Sequence, residues 1–147
     1  MKLHQLSLFL ENKPGRLKRP CQILADAGID ILTLSLADTR QFGILRLIVK
    51  DWARARAVLE GSGCVVNVTE VLAIDVENRP GGLLAVLDII EQAGLAIEYM
   101  YAFADGPRAR KATMVFRFEE PDLAIQTLAA RGVNVVGSTE LFARSER

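Results

Sequence analysis

Glu11-Asn12-Lys13-Pro14-Gly15-Arg16-Leu17 returns 66 positions later as Glu77-Asn78-Arg79-Pro80-Gly81-Gly82-Leu83, with five of the seven residues identical. The same offset carries Ala27-Gly28-Ile29-Asp30-Ile31 onto Ala93-Gly94-Leu95-Ala96-Ile97. Further along the offset is 69, pairing Asp51 with Glu120, Ala55 with Ala124, Leu59 with Leu128 and Gly63 with Gly132. The extra residues belong to a longer turn in the second copy, around Asp105 to Lys111. A repeat of this length decides the fold before any single element is read.

Within each copy the hydrophobic period changes in the same order. Leu6, Leu8 and Leu10 alternate with Gln5, Ser7 and Phe9, as in a half-buried strand, and Leu72, Ile74 and Val76 keep that phase. Pro-Gly then turns the chain into a helix, with Asn12 and Asn78 placed to cap it. Leu17, Cys21 and Leu24 fall on one helical face, as do Leu83, Leu87 and Ile90. Gly28 and Gly94 suit the left-handed residue that ends a helix. Second strands follow at residues 30–37 and 96–103, and third strands include Phe42 to Lys50 and Met114, Phe116 and Phe118. Helices are expected from Trp52 to Glu60 and Pro121 to Arg131, and closing strands near Cys64 to Glu70 and Val133 to Phe142. One residue conflicts with this scheme. Pro20 sits inside the first helix, which must therefore start late or bend.

The order β-α-β-β-α-β defines an α+β, ferredoxin-like unit with an antiparallel sheet and both helices on one face. Two such units are expected, residues 1–70 and 71–147, packed side by side because each alone is near the lower size limit for a stable core. The composition agrees with a globular chain: half the residues are hydrophobic, and 18 basic residues balance 18 acidic ones. That balance gives no footprint for nucleic acid, and the basic group Arg108, Arg110 and Lys111 reads as a solvated turn. The first ten residues contain no leader or membrane span, so a cytoplasmic location is expected, with no membrane partner. Cys21 and Cys64 are read as buried, reduced hydrophobes, and with His4 the single histidine no metal site is expected. Asp26, Asp38, Asp51 and Glu60 form no recognisable acid–base pair.

"LFLENKPGRL", "LADAGIDI" and "FGILRLIV", together with "IDVENRPGGL" and "IEQAGLAIEYMY", resemble the ACT domain family, and the whole chain is similar to tandem ACT proteins. The resemblance implies a regulatory module for amino acids, with ligands held between paired units near the first strand–helix loop. It implies Asn12, Pro14, Gly15, Arg16 and Leu17 as ligand-binding residues in the first copy, with Asp30 and Ser35 as further polar contacts. Asn78, Gly81, Gly82 and Leu83 are the counterparts in the second. The chemistry is suitable: a helix N-terminus offers free N–H groups and partial positive charge to a carboxylate. Pro-Gly is equally good turn punctuation, so from pattern alone both readings stay open. The expected function is an amino-acid-binding regulator without catalytic activity or cofactor, acting in trans on a partner enzyme or regulator, as a homodimer. The alternative is a ligand-independent assembly module.

Overall fold

A computed structural model of the chain describes residues 2–38, 41–104 and 110–145. The first copy contains β1 (Leu3–Glu11), α1 (Lys18–Asp26), β2 (Thr33–Asp38), β3 (Phe42–Ile48) and α2 (Trp52–Gly61). A single strand, β4 (Val66–Glu77), then closes the first copy and opens the second. The second copy continues with α3 (Gly82–Gln92), β5 (Ile97–Ala104), β6 (Lys111–Phe118), α4 (Pro121–Ala130), β7 (Val135–Val136) and α5 (Ser138–Ser145). The chain divides into two compact units, His4–Thr69 and Glu70–Arg147 with Met1–Leu3.

Each unit has the same strand order, β2-β3-β1-β4 in the first and β5-β6-β4-β7 in the second. The ladders β1/β3, β2/β3, β4/β6 and β5/β6 are antiparallel. In the first unit Leu6 and Leu8 of β1 and Leu45 and Leu47 of β3 point to one face, where Leu24 of α1 and Ala55 and Leu59 of α2 cover them. In the second, Leu72, Ile74, Phe116 and Phe118 meet Ile90, Ala124 and Leu128 in the same way. α1 with α2, and α3 with α4, thus pack on one face of their sheets, because each strand offers its apolar alternate positions there. His4 stacks on Trp52, with ring centroids 4.5 Å apart.

Gly28 and Gly94 end α1 and α3 with positive φ. The N–H groups of Ile29 and Leu95 turn back to the carbonyls of Leu24 and Ile90, as a left-handed helix end requires. Three expectations need correction, and the one at Pro20 is met. Asn12 and Asn78 do not cap: the N-cap residues are Leu17 and Gly81, and the asparagine N–H groups donate instead to Gln41 and Arg110 across the neighbouring hairpin turn. Pro20 delays α1, which begins at Lys18, whereas α3 begins at Gly82, the counterpart of Arg16. Pro20 has no N–H to donate to the Arg16 carbonyl, so the helix cannot include that residue; Val86 has one to give to Gly82.

The closing strand expected over Val133 to Phe142 shrinks to Val135–Val136 and gives way to α5. Helical signals prevail after Gly137: Glu140 in the first turn and Arg144 in the last complement the helix dipole and form an i,i+4 ion pair at 2.6 Å. Cys21 and Cys64 are free but only half-buried. The longer second-copy turn falls on residues 105–109, outside the described residues, as does Arg108 of the basic group.

Candidate functional site

The first strand of each copy ends in a carboxylate, Glu11 or Glu77, beside the start of its first helix. In the first copy Glu11 pairs with Lys13 at 3.1 Å and lies 3.8 Å from Arg16. The Lys13 hydrogen bond, then the charges of Lys13 and Arg16, hold the Glu11 carboxyl below the ordinary carboxylate range. Gly15 and Gly81 both take φ +86°, a conformation that only glycine adopts cheaply and that aims the chain from strand to helix.

Each copy carries a cleft at this junction. The first, about 240 Å³, is walled by Leu8, Phe9, Leu10 and Glu11 of β1, by Arg16, Arg19 and Pro20, and by Gly63, Cys64 and Val65. The second, about 260 Å³, is walled by Asp75, Val76, Glu77, Arg79, Gly82, Ala85, Val86, Ile89, Lys111, Gly132, Val133 and Asn134. Through the repeat offsets, Phe9 corresponds to Asp75, Glu11 to Glu77, Arg16 to Gly82, Arg19 to Ala85, and Gly63-Cys64-Val65 to Gly132-Val133-Asn134. The two clefts are therefore one site formed twice. Gly63 and Gly132 have positive φ, and the N–H of the next residue returns to Leu59 or Leu128, which sets the third wall in place.

The linings differ in chemistry. The first cleft holds two guanidiniums, Arg16 and Arg19, against Glu11, and Arg19 also donates to the Ser62 carbonyl. The second holds Glu77, Arg79 and Lys111, while Asp75, alternating with Ile74 and Val76, turns its carboxylate to the sheet face away from α3, where it is only 2% exposed. Asp75 accepts from Thr113 Oγ1 at 3.2 Å, from Asn134 Nδ2 at 3.3 Å, and from Arg144 Nη1 at 3.0–3.1 Å on both oxygens. Gly82 is forced by geometry: a Cβ there would lie 2.8 Å from the Glu77 carbonyl carbon and closer still to its oxygen. A smaller recess of about 120 Å³ in the first copy gathers Asn12, Arg16 and Leu17 with Leu10, Glu11, Lys13, Leu36 and Gly43.

Of the residues singled out in the sequence, Asn12, Arg16, Leu17 and Gly82 thus line recesses. Pro14, Gly15, Asn78, Gly81, Leu83, Asp30 and Ser35 line none of these three. Leu83 packs against the second core, and Gly15 and Gly81 serve the turns. Ser35 stands opposite Arg46 in the β2/β3 ladder, on the face away from the helices. Asp30 precedes β2 at its Thr33 end, away from the Asp38 end that pairs with Gly43. Sequence reading missed Arg19, Asp75, Lys111 and the two glycine-led walls. The Gly63/Gly132 match and a charged Asp75 amid "LAIDVE" were the available signals. Among the described residues no three of His, Cys, Asp and Glu cluster as metal ligands, and no helix is long and apolar enough to cross a membrane.

A repeated ferredoxin-like unit with a cleft at each strand–helix junction defines a tandem small-domain protein. The family described as ACT domain pair matches residues 1–143, and the chain belongs to that family, whose domains are regulatory modules. A crystal structure of a protein from Bacteroides thetaiotaomicron is 38% identical, covering 97% of this chain and 96% of that one, with a TM-score of 0.89. The regulatory subunit of aspartate kinase from Thermus thermophilus, in its ligand-free form, shares the fold at 13% identity, with a TM-score of 0.63 over 88% of this chain and 93% of that one. The corresponding subunit from Thermus flavus gives 16% identity and a TM-score of 0.61, over 88% and 92%. No curated protein matches the chain.

Proposed function

We propose that this chain is an amino-acid-binding regulator that takes a small zwitterion in one or both junction clefts and acts in trans on a partner enzyme or regulator, without catalysing a reaction. The observation that carries this reading is the recurrence of one cleft in both copies with both signs of charge in its walls. A guanidinium or ammonium pairs with the ligand's carboxylate, and Glu11 or Glu77 pairs with its ammonium group. Volumes near 250 Å³ fall below the range of about 300–1,000 Å³ typical of clefts for drug-sized molecules, and so suit a ligand of amino-acid size. The first cleft, with two guanidiniums, is the stronger candidate for a carboxylate. Membership of a regulatory family supports the non-catalytic role, and the aspartate kinase subunits that share the fold supply the precedent for regulating an enzyme.

A homodimeric assembly role has its own support. The edge strand β2 leaves Leu34 and Leu36 44% and 46% exposed, with no lysine or proline along it to block pairing. A melting-temperature screen of the standard amino acids separates the readings. A ligand at a hundredfold excess over its dissociation constant adds about 2.7 kcal/mol, a rise of several degrees. Arg16→Glu with Arg19→Glu is expected to remove the rise contributed by the first cleft. If no amino acid raises the melting temperature while sedimentation shows a dimer, the assembly role replaces the sensor.

A further inference from the structure

We propose that the first cleft selects an acidic amino acid, aspartate or glutamate: Glu11 and Arg16 hold its ammonium and α-carboxylate groups, and Arg19 takes the carboxylate of its side chain. This rests on the amino-acid-binding reading above and names the ligand class for one of the two clefts.

The charges in and around that cleft do not balance. Among the described residues Glu11 is the one carboxylate in its wall, and it already has Lys13 at 3.1 Å. Three cations, Lys13, Arg16 and Arg19, therefore stand about a single anion. A neutral amino acid brings one charge of each sign and leaves that excess as it is. An acidic one brings a second carboxylate and reduces it, so the field of the cleft favours the acid.

Both guanidiniums have donors to give. Arg16 Nη2 lies 3.8 Å from Glu11 Oε2, longer than a hydrogen bond, so that contact uses none of its N–H groups. Arg19 Nη2 donates to the Ser62 carbonyl, a neutral acceptor that orients the guanidinium and leaves its charge in place. A guanidinium fork meets a carboxylate in two parallel hydrogen bonds, the geometry this role needs. The division of labour follows from the partners. The ammonium and α-carboxylate of an amino acid share one carbon, as Glu11 and Arg16 share one corner of the cleft. Arg19, held instead at Ser62, is left for the side chain.

The second copy supplies the contrast. The counterparts of Arg16 and Arg19 are Gly82 and Ala85, and the α3 wall continues with Val86 and Ile89. No cation fits at position 82 without moving α3, because a Cβ there meets the Glu77 carbonyl. The cations of that cleft, Arg79 and Lys111, come from the turn and from β6, and Lys111 stands opposite Glu77 in the β4/β6 ladder. Two guanidiniums at the start of the first helix are thus peculiar to the first copy, beyond what the repeated cleft requires.

Titration calorimetry on the full chain tests this with probes matched in length: glutamate, glutamine and lysine, then aspartate and asparagine. One of the acids is expected to bind at least about tenfold more tightly than its amide, the factor that a charge-assisted hydrogen bond supplies. Lysine should bind more weakly than either. Arg19→Gln is expected to remove about tenfold of the preference for acid over amide while sparing the amide, whereas Arg16→Gln should weaken both by about that factor. Arg56→Gln, on α2 and paired with Glu60 outside the cleft, should change neither. An amide that binds as tightly as its acid overturns the selectivity and leaves the binding reading standing; this comparison needs no variant, so it decides the matter even where a variant fails to fold. An acid preference that survives Arg19→Gln, or that Arg56→Gln removes equally well, also overturns it. If no standard amino acid raises the melting temperature, the binding reading fails, and the selectivity with it.

Discussion

Gly82→Ala concentrates the site's geometry in one methyl group. The added Cβ would stand 2.8 Å from the Glu77 carbonyl carbon and closer to its oxygen, so its neighbour is backbone and cannot rotate aside. Relief requires α3 to move away from the end of β4, and overpacking of this kind costs about 1–3 kcal/mol, here at the upper end. Against that, alanine gains up to about 1 kcal/mol over glycine within a helix. The net expectation is a loss of about 2 kcal/mol, or about 4–8 °C in melting temperature for a chain of this length. Thermal melting followed by far-ultraviolet circular dichroism, with a urea titration at fixed temperature, measures it. Arg16→Ala is the matched control, since position 16 already carries a Cβ, and it should stay within about 0.5 kcal/mol. If Gly82→Ala melts at or above the parent temperature, the close approach of α3 to Glu77 is not as described.

Leu59→Ala and Leu128→Ala truncate equivalent, fully buried side chains on the core-facing sides of α2 and α4. Each should cost about 3 kcal/mol by the usual core-truncation range, read as an earlier urea midpoint, and a neutral result at either would contradict the core described for that unit. Glu11→Gln tests the Glu11–Lys13–Arg16 cluster through pH. The folded-state carboxyl titrates below its unfolded value, so its contribution is present above the unfolded value and is lost as pH falls through the folded one. The melting-temperature difference between parent and variant should close on acidification, and one that persists into strong acid would refute the pairing.

Much of the fold was legible because the repeat let each element be read twice. The alternation through Leu6, Leu8 and Leu10 recurs at Leu72, Ile74 and Val76, and Gly28 with Gly94 marked both helix ends. Pro20 announced its own conflict, and the late start of α1 resolves it. α5 was not legible in this way, since it has no counterpart in the first copy and follows two valines that belong to a strand. Of the site, the sequence showed the strand–helix junction but not the third wall of each cleft. Gly63 and Gly132 reach that junction only through the return of the chain after α2 and α4. Asp75 was hidden for a related reason: strand alternation tells which face a residue occupies, but not that a later helix will bring an arginine to it.

The unequal starts of α1 and α3 also constrain how the two copies can have diverged. An arginine at position 82 is blocked while α3 begins there, because its Cβ meets the Glu77 carbonyl. The difference in charge between the two clefts is therefore set by backbone as well as by side chain: a guanidinium stands at position 16, whereas at position 82 even a methyl group has to displace α3 from the end of β4.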